Sequence, residues 1–334
     1  MAILVTGATG FLGQRVVELL ADTGEEIVAT GRSLARGQAL VSDRVRFVPA
    51  DLRNPAEVRR LFSPEVDRVV HSAALAAPWG RRSAFLTSNV VGTQHLLDAA
   101  GRASIRRFVF VSTSSVYARL GHQYAVEERS PLPRRAANGY VESKRKAEAR
   151  VRRSGLPYII LRPRGLFGPR DTNVLPRLIG ALQANRLPII GPGDNITDLT
   201  YIDNAVSAVQ RSLVAPPEAI RETYNVTNGE PVKVWETVRD LALALELTPP
   251  TRRIPLPAAY LLASALEARA RLTPGRPEPL LTRYTVSLLG QSTTLDITKA
   301  MRTLGYRPRV SMSDGVAAFV DWFRHRSGSR QTSD

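Results

Sequence analysis

Short apolar runs alternate with amphipathic stretches through the first half of the chain. The runs predict strands at Ala2–Thr6, Ile27–Thr30, Val45–Val48, Arg68–His71, Arg107–Val111 and Tyr158–Leu161. Between them, apolar residues recur at helical spacing. Phe11–Ala21 puts Phe11, Leu12, Val16 and Leu19–Leu20 on one face, and further helices are predicted from Pro55, over Ser83–Gly101 and over Tyr140–Ser154. Continuous apolar strands separated by helices predict an α/β fold: a doubly wound parallel sheet covered on both faces, of Rossmann type. The second half is less regular and is punctuated by Pro163, Pro169, Pro176, Pro188 and Pro192. It predicts helices over Tyr201–Leu213, Val234–Leu245 and Ala258–Leu272, with a strand at Tyr224–Val226. The expected organisation is a dinucleotide-binding domain over 1–162, to which 201–228 returns. A smaller α/β substrate-binding cap takes 163–200 and 229–326, and a polar, disordered tail takes 327–334.

Composition narrows the chemistry. The chain has 334 residues, no Cys and four His, which excludes disulfides, thiolate catalysis and cysteine-based metal centres; no metal is expected. The net charge of +16 comes from 42 Arg and only 4 Lys, scattered along the chain. With no aromatic platform beside them, these charges read as an Arg-rich background and not as a nucleic-acid footprint. The apolar start breaks into glycines after Val5, and no stretch approaches the ~20 apolar residues of a membrane span. Cytoplasmic location and a small-molecule substrate are the expectations.

Thr6–Gly13 reads Thr-Gly-Ala-Thr-Gly-Phe-Leu-Gly, directly after a strand and before an amphipathic helix. Gly7, Gly10 and Gly13 supply a tight turn, close backbone approach to a diphosphate, and close helix–strand packing. The helix start then offers free N–H groups to the phosphates. Cofactor contacts are therefore expected at Gly7, Thr9, Gly10, Phe11, Leu12 and Gly13. The second strand ends Ala29-Thr30-Gly31-Arg32, with Glu25 and Glu26 at its other end. The acidic residue that would hold a ribose 2′-hydroxyl is missing there, and Arg32 suits a 2′-phosphate, so NADP is expected in preference to NAD. Asp51-Leu52 has two readings: contact with the adenine edge, or a turn and capping role.

Tyr140 and Lys144 stand four residues apart on a predicted helix, so they share a face. A nearby ammonium favours phenolate and would pull the phenol pKa down toward working pH, as an acid–base for a carbonyl or alcohol needs. The strand Phe108–Val111 runs into Ser112-Thr113-Ser114-Ser115-Val116-Tyr117, which brings hydroxyls to the strand's carboxyl end, where ligands sit. Asn89 interrupts an apolar helix. It either orders a water for proton relay or supports a helix bend.

These motifs, in this order, resemble an extended short-chain dehydrogenase/reductase. His71-Ser72-Ala73-Ala74, Arg162-Pro163 and Gly168-Pro169 add to the match. Ala77-Pro78-Trp79-Gly80, Thr197–Asn204 and Asn228-Gly229-Glu230-Pro231 resemble the branch of 3β-hydroxysteroid dehydrogenase-like enzymes and bacterial 2-alkyl-3-oxoalkanoate reductases. The resemblance implies a catalytic set of Thr113, Tyr140, Lys144 and Asn89, with Ser112 and Ser114 as possible stand-ins for Thr113. It implies further cofactor contacts at Ala73 and Pro163, and a homodimer. Substrate contacts are expected at Trp79, Ser114, Arg164, Arg177 and Tyr201; the two arginines suit a carboxylate or phosphate. The implied reaction interconverts a ketone and a secondary alcohol on a bulky apolar substrate. The alternative is a sugar-nucleotide epimerase or dehydratase that retains its NAD. Arg170 departs from the family, where glycine is commoner. The apolar segment Leu256–Ala263 lines a pocket, touches a membrane, or packs on the cap's own core.

Overall fold

The computed structural model describes residues 1–331, with side chains through Arg326. Seven parallel strands form the main sheet: β1 (Ala2–Thr6), β2 (Glu26–Gly31), β3 (Val45–Pro49), β4 (Val66–His71), β5 (Arg107–Val111), β6 (Tyr158–Pro163) and β7 (Glu222–Val226). Their order across the sheet is β7-β6-β5-β4-β1-β2-β3. Each predicted strand is present, extended by at most two residues at either end.

The pleat explains why these runs are apolar throughout. Ile3, Val5, Val70, Val109, Ile159 and Leu161 point to one face, under the helices Phe11–Asp22 and Ile202–Leu213. Their neighbours Leu4, Val69, Phe108, Phe110 and Ile160 point to the other, under Gly92–Arg102 and Gly139–Arg153. A side-chain period of two therefore feeds two cores from one sheet. Strand order reverses between β1 and β4, so the ligand crevice opens at their carboxyl ends.

The predicted helix over Ser83–Gly101 is continuous but not uniform. An α-helical turn, Arg82–Leu86, passes through a π-helical stretch, Thr87–Val91, into Gly92–Arg102. Asn89 sits in the π stretch, which fits the habit of such bulges to lie at functional sites.

The smaller lobe departs from the expected organisation. Its mixed sheet runs Val232–Lys233, Ile196–Thr197, Thr293–Leu295 and Gln123–Val126. The last strand comes from the first half of the chain, within the span assigned to the dinucleotide domain. Conversely, Ile297, Ala300, Leu304, Tyr306 and Met312, placed in the cap by sequence, pack into the core of the main sheet. The Tyr306 hydroxyl donates to the Thr227 carbonyl at 2.8 Å. Helices not anticipated in the span assigned to the cap include Leu175–Gln183, Arg283–Gly290, Thr298–Thr303 and Met312–Gln331. The last of these continues through the first residues of the tail expected to be disordered; residues 332–334 lie outside the described residues. In the helix Leu256–Leu272, Ala259 and Ala263 face the cap core while Leu261 and Leu262 are exposed. No described helix is long and apolar enough to cross a membrane.

Candidate active site

The glycine loop has the shape its sequence demands. Gly7 has φ +70°, and a Cβ there would stand 2.7 Å from the Ala73 backbone that follows β4. A Cβ on Gly13 would stand 2.1 Å from the Gly7 carbonyl oxygen, so only glycine lets the helix pack this close. The helix Phe11–Asp22 starts with no acidic residue in its first turn and no side-chain cap. Its N–H groups and positive end are thus free for an anion, and the loop fits a dinucleotide diphosphate. Ala73 and Pro163 flank the same crevice at the carboxyl ends of β4 and β6.

Arg32 is exposed at the carboxyl end of β2 and has no ion-pair partner among the described residues. Glu25 and Glu26 are at the opposite end, paired with Arg68 at 2.7 Å and Arg44 at 3.1 Å. Asp51 accepts from Arg53, whose hydrogen bonds hold its carboxyl below the usual range; the nearby charge of Arg32 adds a little. The Leu52 carbonyl is engaged by His95 at 2.9 Å, so Asp51-Leu52 is a fixed corner beside Arg32.

Thr113 caps a single 3-10 turn, Ser114–Tyr117, beyond β5. Its hydroxyl donates to Ser115 Oγ at 3.1 Å, and Ser115 Oγ lies 2.6 Å from the Tyr284 hydroxyl. This makes a hydroxyl chain Thr113–Ser115–Tyr284 beside the Tyr140 phenol. Ser114 is buried but outside this chain. Burial pushes the Tyr140 phenol well above its ordinary value; neighbouring Tyr284 adds to this and the bond with Thr113 opposes it.

Lys144 is buried, with its ammonium turned to the end of β5. Its ammonium donates to the Val111 carbonyl at 2.6 Å and lies 4.1 Å above the Phe110 ring, and it is not among the groups that draw the phenol down. Burial lowers Lys144 to about 7, against the pull of the Glu148 charge. Two polar frames hold these groups in place. Asn89 uses its carbonyl on Leu75 N–H at 2.7 Å and its amide on the Leu75 carbonyl at 3.0 Å and Ser143 Oγ at 2.9 Å. Ser143 in turn donates to the Tyr140 carbonyl at 2.7 Å. Both amide hydrogens of Asn89 are thus engaged, and its side-chain oxygen accepts one bond. Beneath, Glu148 accepts from Arg162 at 2.6 Å and Ser112 at 2.6 Å, and Arg162 donates to Tyr117 at 2.6 Å. Burial alone would raise Glu148, but the bonds and charge of Arg162 outweigh it and hold the carboxyl low.

The expected substrate residues divide. Arg164 is buried at the carboxyl end of β6, its Nε donating to Thr197 Oγ1 at 3.0 Å. Trp79 bridges to the cap, donating to the Arg276 carbonyl at 3.0 Å beneath the Arg271 guanidinium. Arg177 and Tyr201 are corrected. Arg177 forms an exposed pair with Glu278 at 3.2 Å, and Tyr201 packs on Phe167 within the main core. Arg170 turns away from the crevice and pairs with Glu18; its φ of +68° explains why glycine suits that position. Tyr284 and Ser115 were missed. A cleft of about 440 Å³ lined by Met1, Glu26, Arg44 and Glu65 lies at the amino ends of β1–β3, away from all these groups.

A model of the NAD dependent epimerase/dehydratase family matches residues 3–227. The chain is 33% identical to 2-alkyl-3-oxoalkanoate reductase of Stenotrophomonas maltophilia, over 95% of this chain and 97% of that protein. It is 33% identical to 3beta-hydroxysteroid-dehydrogenase/decarboxylase isoform 1 of Arabidopsis thaliana, over 98% and 81%. Among solved structures, UDP-glucuronic acid 4-epimerase from Bacillus cereus in complex with NAD superposes with TM-score 0.74 at 25% identity, over 97% and 99% of the two chains. The glycine loop, the hydroxyl-bearing end of β5 and the Tyr140–Lys144 helix are thus found in a chain that belongs to the NAD-dependent epimerase/dehydratase family, as an extended short-chain dehydrogenase/reductase of the 3β-hydroxysteroid dehydrogenase and oxoalkanoate reductase branch.

Proposed function

We propose that the protein interconverts a ketone and a secondary alcohol on a bulky apolar substrate, a 3-oxo/3-hydroxy acid or a sterol- or polyketide-like compound. The observation that carries this is the hydroxyl chain Thr113–Ser115–Tyr284 at the carboxyl end of β5, beside the half-buried Tyr140 phenol. The bound dinucleotide supplies or accepts the hydride. Thr113 orients the substrate oxygen, Tyr140 gives or takes the proton at that oxygen, and Lys144 holds the nicotinamide ribose. The substrates in the two relatives' printed names support the reading.

Tyr140→Phe is expected to lower kcat about 10²- to 10⁴-fold, the usual share of general acid–base catalysis, with the fold intact by circular dichroism. The pH dependence has a sign. A phenol raised by burial is protonated at neutral pH, ready for ketone reduction, so alcohol oxidation should accelerate as pH rises while reduction does not. Full activity in Tyr140→Phe, followed through absorbance of the reduced cofactor, would sink the mechanism.

NADP is the preferred cofactor in this reading, because Arg32 is unpaired where an adenosine 2′-phosphate would lie. Arg32→Asp should reverse the ratio of kcat/KM for NADPH over NADH; an unchanged ratio refutes the role. A second reading, an epimerase or dehydratase with retained NAD, draws on the likeness to the Bacillus cereus enzyme. Purification with bound NAD and no net cofactor turnover would favour it.

A further inference from the structure

A surface helix ordinarily turns its charged residues to water and its apolar ones to the core. The helix Leu256–Leu272 does the reverse. Its core-facing side carries Ala259, Ala263 and Glu267, and Glu267 is only 5% exposed. That carboxylate accepts from the Arg283 N–H at 2.8 Å, from Arg283 Nε at 3.0 Å and from Arg271 Nη2 at 3.0 Å. The water-facing side is Ala258, Leu261, Leu262, Ala265, Ala268 and Leu272, spaced three and four apart along one stripe. Leu261 is 74% exposed and Leu272 86%. The one charged residue within the stripe is Arg269, in the last turn. Cations close both ends. Arg252 and Arg253 stand before the helix, Arg269 and Arg271 at its end, and Arg252, Arg253 and Arg269 are exposed with no ion pair among the described residues.

We propose that this helix lies flat in the surface of an anionic membrane, with Leu261, Leu262 and Leu272 in the acyl boundary and the flanking arginines among the lipid headgroups. The charge pattern favours lipid as the occupant. A stripe that runs basic, apolar, basic, with its one carboxylate turned inward, complements anionic headgroups over an acyl layer. A second copy of the chain fits it poorly. Two-fold pairing of the stripe on itself sets a basic end on a basic end, whether the helices run parallel or antiparallel. The helix is about 25 Å long and ends in arginines, so it rests on a bilayer and does not cross it. The net charge of +16 adds long-range attraction toward such a surface. Glu267 fastens the helix to Arg283, which immediately precedes Tyr284, so the lipid-facing helix is tied to the element that brings Tyr284 to Ser115. The inference does not depend on the reaction proposed above.

Binding is measured by co-sedimentation of the full chain with vesicles of phosphatidylcholine, with and without phosphatidylglycerol. Partitioning is expected to be about 10-fold or more stronger on the anionic vesicles and to weaken as salt rises. A chain this basic is drawn to anionic vesicles by charge alone, so the deciding variant keeps every charge. Leu261→Ser with Leu262→Ser should lower partitioning on anionic vesicles about 10-fold or more, because two leucines lose their transfer into the acyl boundary. Both positions are exposed, so circular dichroism and the oligomeric state by light scattering should match the wild type. As a second reading, Leu261→Trp should add emission that brominated lipid quenches. Arg252→Gln with Arg253→Gln should remove part of the preference for anionic over neutral vesicles. Absence of vesicle binding overturns the proposal. So does binding that survives loss of both leucines, which is charge attraction only, and so does a dimer that the serine substitutions break, which gives the stripe to a second copy. None of these outcomes involves turnover, so they leave the proposed reaction to its own test.

Discussion

His71 shows how far a single residue can be read. It stands at the end of β4 in a sequence motif, and nothing in that motif says whether it reacts or supports. In the fold it is buried between two threonines, with Nδ1 2.8 Å from Thr6 Oγ1 and Nε2 2.9 Å from Thr93 Oγ1. Thr93 already donates to the Asn89 carbonyl at 2.6 Å, so it accepts from Nε2–H, and Nδ1 accepts from Thr6. The ring is therefore neutral and ties the glycine-loop strand to the π-helical stretch. Burial, helped by the Lys144 charge, lowers its pKa to about 3. A folded-state pKa below the unfolded one means stability that is complete above about pH 6.5 and lost as pH falls toward 3, by up to about 1.4 kcal/mol per unit. The urea midpoint should fall more steeply between pH 7 and 4.5 in the wild type than in His71→Gln. Parallel curves would show that His71 is not the group responsible.

At the scale of elements, the active site depends on three segments meeting: the end of β5, the helix Gly139–Arg153 and β6. Glu148 and Arg162 pin that junction from below, at 0% and 2% side-chain exposure. A buried pair of this kind is weak evidence of net stabilisation, yet breaking it is costly because one charge is left alone. Arg162→Met should cost about 3–5 kcal/mol in urea unfolding, and Arg162→Met with Glu148→Met should recover much of it. A double variant no better than the single would show that the pair adds net stability. The cap elements carry a different lesson. Helix Arg283–Gly290, which delivers Tyr284, is only eight residues long, and its cap pairs Thr282 with Thr285 where Glu or Gln is the usual signature. A Thr-x-x-Thr followed by an apolar run was the available signal. The last helix was legible in principle from Val316, Phe319, Val320 and Phe323, spaced for one face that packs on Ile179 and Leu241.

At the scale of the molecule, the chain crosses between lobes more often than a linear division into domains allows. Gln123–Val126 leaves the dinucleotide lobe to pair with Thr293–Leu295, and 297–312 returns to the main core. Strand pairing between residues about 170 apart leaves no local trace. The sequence alone determined the parallel sheet, because period-two burial on both faces demands continuous apolar strands. It likewise determined the glycine loop, where a Cβ cannot fit, and the shared face of Tyr140 and Lys144, which follows from helix geometry. What it left open was how side chains divide among competing partners. Forty-two arginines look alike in composition. Only tertiary structure set Arg177 on Glu278 at the surface, closed Asn89 into a frame, turned Lys144 onto Val111, and left Arg164 buried without an ion pair among the described residues. Such choices depend on distance and burial in space, and those quantities are not encoded in the spacing of residues along the chain.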